Sequence, residues 1–378
     1  MKNLFLRFVG CAFVLLMVSC DKLTKATDFI TQPTAREIYA RNFKTDSLPY
    51  TLWKTAFTNA LKDSLTIDSP YLESGRFNPE RFPVYSYDLR LERGRSYTFA
   101  LQTDTLNPLV FIDLYEKTSD SLAHFNLIEQ AEYNSKKLRF STKKEGDYKI
   151  VVQPQLGAQS TFTFSLSSTP AYSFPVADIS EKAIQSYWGA SRDGGKRSHE
   201  GVDIFADRGT PVLASVDGIV GRTGNRGLGG KQVWLREGLF GNSLYYAHLD
   251  SIIARDGQRV KSGDTLGLVG NTGNARTTPP HLHFGIYGRG TGAINPLSFL
   301  KQETGLKAAE VDADAPLDYL IKNNVANLRN SASAKAKKIG VLNRNDTIQV
   351  LGVVNDWMHI ATQDSQRAYI HQSLVKSF

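Results

Sequence analysis

Four of the chain's seven histidines fall in three short blocks: His199-Glu-Gly-Val-Asp203, Tyr245-Tyr-Ala-His248-Leu249 and Pro280-His281-Leu-His283-Phe284. That is ligand chemistry. Zinc prefers imidazole nitrogen and carboxylate oxygen, and a hydrolytic site usually offers three protein ligands while leaving a fourth position for water. Four imidazoles and one carboxylate are enough for three ligands and two partners that handle protons. Residue types alone do not decide which group takes which part.

Spacing dictates how the blocks must fold. In His281-Leu282-His283-Phe284-Gly-Ile286-Tyr287 the alternation is that of a strand, so both imidazoles point one way while Leu282, Phe284 and Ile286 point the other. His199 and Asp203 need a different backbone, because four residues of extended strand span roughly 13 Å, too far for two atoms each about 2 Å from one ion. The chain must turn there. Gly201, with its wide backbone range, is placed for that turn, and Val202, Ile204 and Phe205 predict a strand just beyond it. Tyr246, two residues before His248, is expected on the same strand face, either assisting an oxyanion or packing on the groove wall. The run Thr223-Gly-Asn-Arg-Gly-Leu-Gly-Gly230 lacks the Gly-Lys-Ser/Thr ending of a phosphate loop. It reads as a flexible rim carrying Asn225 and Arg226.

From about Tyr187 to Leu300 the chain resembles the lysostaphin-type (LytM-like) zinc metallopeptidases, which cut peptide bonds in bacterial peptidoglycan. The resemblance is carried by Tyr187-Trp-Gly-Ala, His199-Glu-Gly-Val-Asp203-Ile, Gly209-Thr-Pro-Val-Leu-Ala214 and Asp217-Gly-Ile-Val220. It continues through Tyr246-Ala-His-Leu249, Gly257-Gln-Arg-Val-Lys-Ser-Gly263, Gly270-Asn-Thr-Gly273, Pro280-His-Leu-His-Phe284 and Asn295-Pro296. It implies one zinc ion per chain, held by His199, Asp203 and His283, with His281 and His248 beside the attacking water. One departure is visible: Ala275-Arg-Thr-Thr-Pro-Pro280 replaces the small Ser-Thr-Gly-Pro turn usual before the His-x-His strand, which leaves the ligand set intact but bears on the local loop shape.

Two neutral imidazoles and one carboxylate leave such a site with a net charge of about +1, and zinc so held can lower the pKa of its bound water from 15.7 to around 7. A neighbouring neutral histidine, with an ordinary pKa of about 6.5, suits taking the water's proton and returning it to the departing amine. We assign this to His281, with His248 as its partner or as the group that steadies the oxyanion. The expected activity is zinc-dependent hydrolysis of peptidoglycan stem-peptide cross-links. Two rivals are a catalytically silent relative that activates wall amidases and a wall-binding scaffold. Neither has a chemical need for all five residues.

The remaining chain bounds where this chemistry acts. At 378 residues and 41% hydrophobic composition it can bury sizeable cores, and its length suggests two or three domains. Lys2 and Arg7 precede an apolar run, Phe8 to Val18, too short to span a bilayer and laid out as a secretory signal. Its end, Val18-Ser19-Cys20, resembles a bacterial lipoprotein signal, which implies cleavage before Cys20 and acylation of its thiol. More than one acyl chain is needed for stable anchoring. The expected location is the cell envelope, membrane-anchored and facing the periplasm, with wall stem peptides as partners. The two cysteines, Cys11 and Cys20, both lie in this leader, so a mature chain would have no disulfide. Losing a leader that carries Lys2 and Arg7 and no acid lowers the formal charge of +8 by two. With no basic stripe beyond Lys335-Ala-Lys-Lys338, nucleic-acid binding is not expected.

The expected fold is mainly β. Residues 21–75 form a tether and two helices, around Thr34 to Asn42 and Pro49 to Leu65, the second with Leu52, Trp53, Ala56, Phe57, Ala60 and Leu61 at helical spacing. Residues 76–170 alternate with period two at Tyr85 to Leu91, Tyr97 to Leu101, Leu138 to Phe140, Tyr148 to Val152 and Phe162 to Leu166, the pattern of a β-sandwich. It reads as a spacer or binding module. Residues 171–302 hold 22 of the 30 glycines between Gly189 and Gly292, as an antiparallel fold with an open groove and many tight turns requires. A linker, 303–316, leads to residues 317–378, which resemble a bacterial SH3-like barrel through Val325-Ala-Asn-Leu-Arg329, Asp356-Trp-Met-His-Ile360 and Ala368-Tyr-Ile370. Trp357 and Tyr369 are its candidates for ligand contact, with core packing at least as good an account of Trp357. His359 and His371 read as ordinary strand residues.

Overall fold

Alternating apolar residues build the first part of the chain into two facing sheets. The structure, a computed structural model, describes residues 31–44, 47–81, 83–118, 125–239, 241–307 and 316–377. The expected leader, Cys20 included, and most of the expected linker lie outside these. Strands Tyr71–Phe77, Ser160–Pro170, Arg95–Thr103 and Lys137–Ser141 form one sheet of the sandwich. Tyr85–Leu91, Gly146–Pro154, Val110–Lys117 and Phe125–Gln130 form the other. Tyr87, Leu89, Phe99, Ile150 and Phe164 meet in the core between them.

Three strands lie outside the expected set: Phe125–Gln130, an edge strand with no buried residue, and two others whose burial hides them. Val110–Lys117 is buried on both faces: Ile112 and Leu114 enter the sandwich, while Phe111 and Asp113 lie beneath the N-terminal helices. Those helices, Ala35–Ala40 and Leu48–Ala60, cover the outer face through Trp53, whose Nε1–H donates to the Pro154 carbonyl at 2.9 Å, and through Arg36, which pairs with Asp113 at 2.7 Å. The second helix ends at Ala60 rather than Leu65. Leu65 and Ile67 are drawn instead into the sandwich core by backbone bonds to Asp88. Tyr71–Phe77, the other hidden strand, puts the start of the sandwich ahead of residue 76; its inward face carries a glutamate, Glu73, which breaks the apolar alternation.

That glutamate joins the sandwich to the C-terminal unit. The SH3-like strands enclose a core of Ile321, Leu328, Ile348, Ile360 and Ile370. One of them, Thr347–Val354, pairs with Tyr71–Phe77 at Ser74↔Val353 and Gly75↔Gly352, so an 11-stranded sheet runs through both units. Inside the junction His359 Nδ1 lies 2.8 Å from Glu73 Oε1, and the hydroxyls of Tyr71 and Tyr87 donate to Glu73 Oε2. Tyr369, wholly buried, meets the Tyr71 hydroxyl at 2.7 Å. This corrects two expectations: Tyr369 is an interior residue and not a ligand contact, and His359 is part of a buried polar network. His371, by contrast, sits at the surface against Trp357.

Between these units in sequence lies an antiparallel sheet in the order Gly218–Arg226, Gly230–Arg236, Ser243–Leu249, His281–Gly288, Val202–Phe205, Ile184–Ser186. One face is sealed: Val202, Ile204, Val233, Leu235, Leu244, Tyr246, Leu282, Phe284 and Ile286 are all inaccessible to solvent. The other face is open. The sheet ends in a short helix, Leu297–Leu300, after which Glu303 accepts from the Ser168 amide at 2.8 Å and from the Ser69 hydroxyl at 3.0 Å. The chain therefore stays docked on the sandwich through Glu303, and a free linker cannot begin there. Among the described residues no helix is long and apolar enough to cross a membrane.

Candidate metal centre

The open face is a groove of about 690 Å³, and its floor gathers all five residues singled out by spacing. His281 and His283 stand two apart on their strand and share its groove face, as alternation requires, with Leu282, Phe284 and Ile286 behind them. Asp203 lies opposite His283 on the neighbouring strand. His199 folds back to it through the expected turn. Gly201 is needed there for space, not for an unusual backbone angle: a Cβ would lie 2.6 Å from the Phe284 carbonyl oxygen and 2.7 Å from Cε1 of His283.

The resulting geometry suits a cation. His199 Nδ1–H donates to the Tyr187 carbonyl at 2.9 Å, which in the neutral tautomer leaves a bare lone pair on Nε2. That atom lies 3.0 Å from Asp203 Oδ1 and 3.0 Å from His283 Nδ1, and the last two are 2.9 Å apart. Three electron-rich atoms thus form a near-equilateral triangle. Without a positive charge between them, the Asp203 oxygen and the His199 lone pair repel. Donors each about 2.0–2.1 Å from a tetrahedral zinc sit roughly 3.3 Å apart, so the triangle fits one face of such a site. The donor set, two imidazoles and one carboxylate, fits it too.

Asp203 divides its work between its oxygens. Oδ1 faces the imidazoles, whereas Oδ2 accepts from Arg192 at 2.6 Å, and the same guanidinium nitrogen donates to Ser186 Oγ at 2.6 Å. Burial by itself would push the Asp203 carboxyl up, but the His199 and His283 imidazoles hold it well below the usual carboxylate range. Arg192 carries no ligand signature, so spacing could not single it out.

Two further imidazoles stand beside the triangle, held the same way. His281 Nδ1 donates to the Pro279 carbonyl and His248 Nδ1 to the Thr272 carbonyl, each at 2.9 Å, so both neutral rings turn a bare Nε2 outward. Their centroids are 5.1 Å apart, and Phe205 stacks on His281 at 5.0 Å. Burial, then the neighbouring His283 and His281, pushes the His248 imidazole down to about 4.

His248 reaches this position through a backbone irregularity. Its φ is +64°, in the left-handed region that non-glycine residues seldom occupy, and the ladder to the adjacent strand shifts register between Lys231 and Val233. The extra residue changes which neighbour shares its face. Tyr246 points into the core, where its hydroxyl accepts from the Ser215 amide at 3.0 Å and its ring meets Phe284, so neither role expected for it in the groove holds. Tyr245 lines the groove in its place. The glycine-rich run is also not a free loop: it closes a hairpin, with Asn225 opposite Lys231 and Arg226 opposite Gly230, and it is Leu228 and Gly229 that border the groove.

A His/Asp/His triangle with two lone-pair imidazoles on an antiparallel sheet defines a centre of the metallohydrolase class. More particularly, residues 197–296 match peptidase family M23 and residues 324–376 match the bacterial SH3 domain, so this chain carries an M23 peptidase domain followed by a bacterial SH3 domain. It is 35% identical over 141 residues to the L-Ala–D-Glu endopeptidase of Bacillus subtilis, covering 34% of this chain and 43% of that protein. To the peptidoglycan DD-endopeptidase ShyA of Vibrio cholerae it is 42% identical over 94 residues, covering 24% and 21%. The catalytic domain of lysostaphin from Staphylococcus simulans aligns at 33% identity over 30% of this chain and 87% of that one, with a TM-score of 0.28. The chain spans less than half the length of the curated relatives it matches.

Proposed function

We propose that this chain is a zinc-dependent endopeptidase that hydrolyses peptide cross-links of bacterial peptidoglycan. The observation that carries the reading is the convergence of His199 Nε2, Asp203 Oδ1 and His283 Nδ1 within about 3 Å of one another, beside two more imidazoles with outward lone pairs. His199, Asp203 and His283 would hold the ion. Bound there, zinc would supply a Lewis acid that acidifies water and polarises a carbonyl.

The chain's own groups do the rest. Arg192, by occupying Oδ2, leaves Oδ1 as the Asp203 atom turned to the ion. His281, its ring fixed by the Pro279 carbonyl and by Phe205, accepts a proton at Nε2 from the attacking water and returns it to the leaving amine. His248 offers a second acceptor beside it: burial keeps its ring neutral and its Nε2 lone pair bare, so it serves as the partner of His281 in moving the proton. The relatives named for peptidoglycan endopeptidase activity support the substrate class. A lipid anchor on Cys20, and with it a periplasmic face, is proposed from the sequence alone.

Digestion of purified wall sacculi by the zinc-loaded protein, with fragments weighed, tests the reading. Cross-linked dimers should give way to monomers, and chelation should stop the conversion. Sacculi left intact by zinc-loaded protein, together with stimulation of a separate wall amidase, would hand the case to the silent-activator alternative.

A further inference from the structure

His248 faces the groove only because its strand carries one residue more than its neighbour. The ladder runs from Val233↔Tyr246 to Lys231↔Leu249, so two steps on one strand match three on the other. In an unbroken ladder His248 would share a face with Tyr246, whose ring lies in the core. The left-handed φ of +64° at His248 therefore needs a brace, since a non-glycine residue keeps such a conformation only where its surroundings hold it.

One residue supplies most of that brace. Thr272 lies in the turn that precedes the His281–Gly288 strand, and its Oγ1 accepts from the Lys231 amide at 3.0 Å while donating to the Leu249 carbonyl at 2.8 Å. The hydroxyl thus bridges the two strands at the pair that closes the bulge. Its backbone meets His248 twice: the Thr272 amide donates to the His248 carbonyl at 3.3 Å, and the Thr272 carbonyl accepts from His248 Nδ1 at 2.9 Å. The amide of His248 is taken by the Gly229 carbonyl at 2.8 Å. The turn is itself pinned to the neighbouring hairpin. The Asn274 amide donates to the Leu228 carbonyl at 2.9 Å, and a Cβ on Gly273 would lie 2.2 Å from that same oxygen.

We propose that Thr272 is the positioning residue for His248: its hydroxyl holds the strand bulge and its carbonyl fixes the ring's tautomer, so that the Nε2 lone pair faces the groove. This rests on the peptidase reading, which gives His248 its part in moving the proton. A hydroxyl suits the bridge because one small atom both donates and accepts. Valine matches the shape of threonine and does neither, so the Lys231 amide and the Leu249 carbonyl would lose their shared partner. Thr272 acts through His248, and its residue type carries no signature of chemistry.

Turnover of cross-linked muropeptide dimers by the full-length, zinc-loaded protein tests the assignment in Thr272→Val and Thr272→Ser. The valine variant should lose about 10- to 100-fold in kcat, with KM and zinc content unchanged. Serine keeps the hydroxyl and should restore most of the rate. A valine variant that melts earlier yet turns over at the wild-type rate would make Thr272 structural only and overturn the proposal, as would a serine variant as slow as the valine one. Nitrogen-15 shifts of the His248 ring in the zinc-loaded wild-type protein, at a pH well above the imidazole range, need neither a variant nor turnover. A protonated Nδ1 with a bare Nε2 is expected, and the opposite tautomer overturns the proposal even where the valine variant fails to fold. Failure of zinc-loaded wild-type protein to digest sacculi would instead count against the hydrolase reading, leaving the tautomer result independent.

Discussion

Arg192, Gly201 and His248 show how much a single residue contributes to a site without being one of its three proposed metal ligands. Arg192 fixes the Asp203 carboxylate from behind, so Arg192→Ala should weaken zinc binding about 10- to 100-fold, the usual effect of removing a group that orients a ligand. Competition with a chromogenic chelator measures this directly, and Arg192→Lys should recover part of it. Gly201→Ala drives a methyl group into the His283 ring, so zinc content by mass spectrometry should fall while the rest of the chain stays folded. His248→Ala should retain zinc yet lose about 10²- to 10⁴-fold in turnover. Near-full turnover in that variant would remove His248 from the chemistry.

At the scale of elements, the His281–Gly288 strand was legible because its two faces have opposite chemistry, imidazole on one and Leu282, Phe284 and Ile286 on the other. The Ser243–Leu249 strand misled because alternation assumes an unbroken ladder. The register shift and the left-handed His248 let Tyr245 and His248 share a face and send Tyr246 inward. Tyr246→Phe should therefore leave cleavage intact while costing about 1–3 kcal/mol, since it strands the buried Ser215 amide; a denaturant melt beside a turnover assay separates the two effects. Val110–Lys117 and Tyr71–Phe77 were illegible for other reasons. The first is covered on both faces, and the second buries a glutamate where an apolar residue would have announced a strand.

For the molecule as a whole, the sandwich and the SH3-like unit share one sheet and part of one core, Leu351, Val354 and Tyr369 belonging with the sandwich residues. The C-terminal unit is thus built into the scaffold. Glu73 ties the two together, and Gly352 must be glycine because a Cβ there would lie 2.1 Å from its carboxylate. Glu73→Ala leaves His359 and two tyrosine hydroxyls without their shared acceptor and should cost about 3–5 kcal/mol, seen as a lower melting temperature with the metal site still loading zinc. The sandwich also touches the peptidase unit through Arg93, Arg95 and Gly94.

The sequence by itself determined the donor set and its partition into strand and turn, because metal ligation demands particular atoms and because strand period and chain reach are local properties. It equally determined that the fold is mainly β. Only the tertiary structure decided which side chains stand behind those donors, that Arg192 orients Asp203, that Tyr245 and not Tyr246 faces the groove, and that Glu73 joins two units. These depend on contacts between residues far apart in the chain, and on one inserted residue in a ladder, neither of which leaves a period in the sequence.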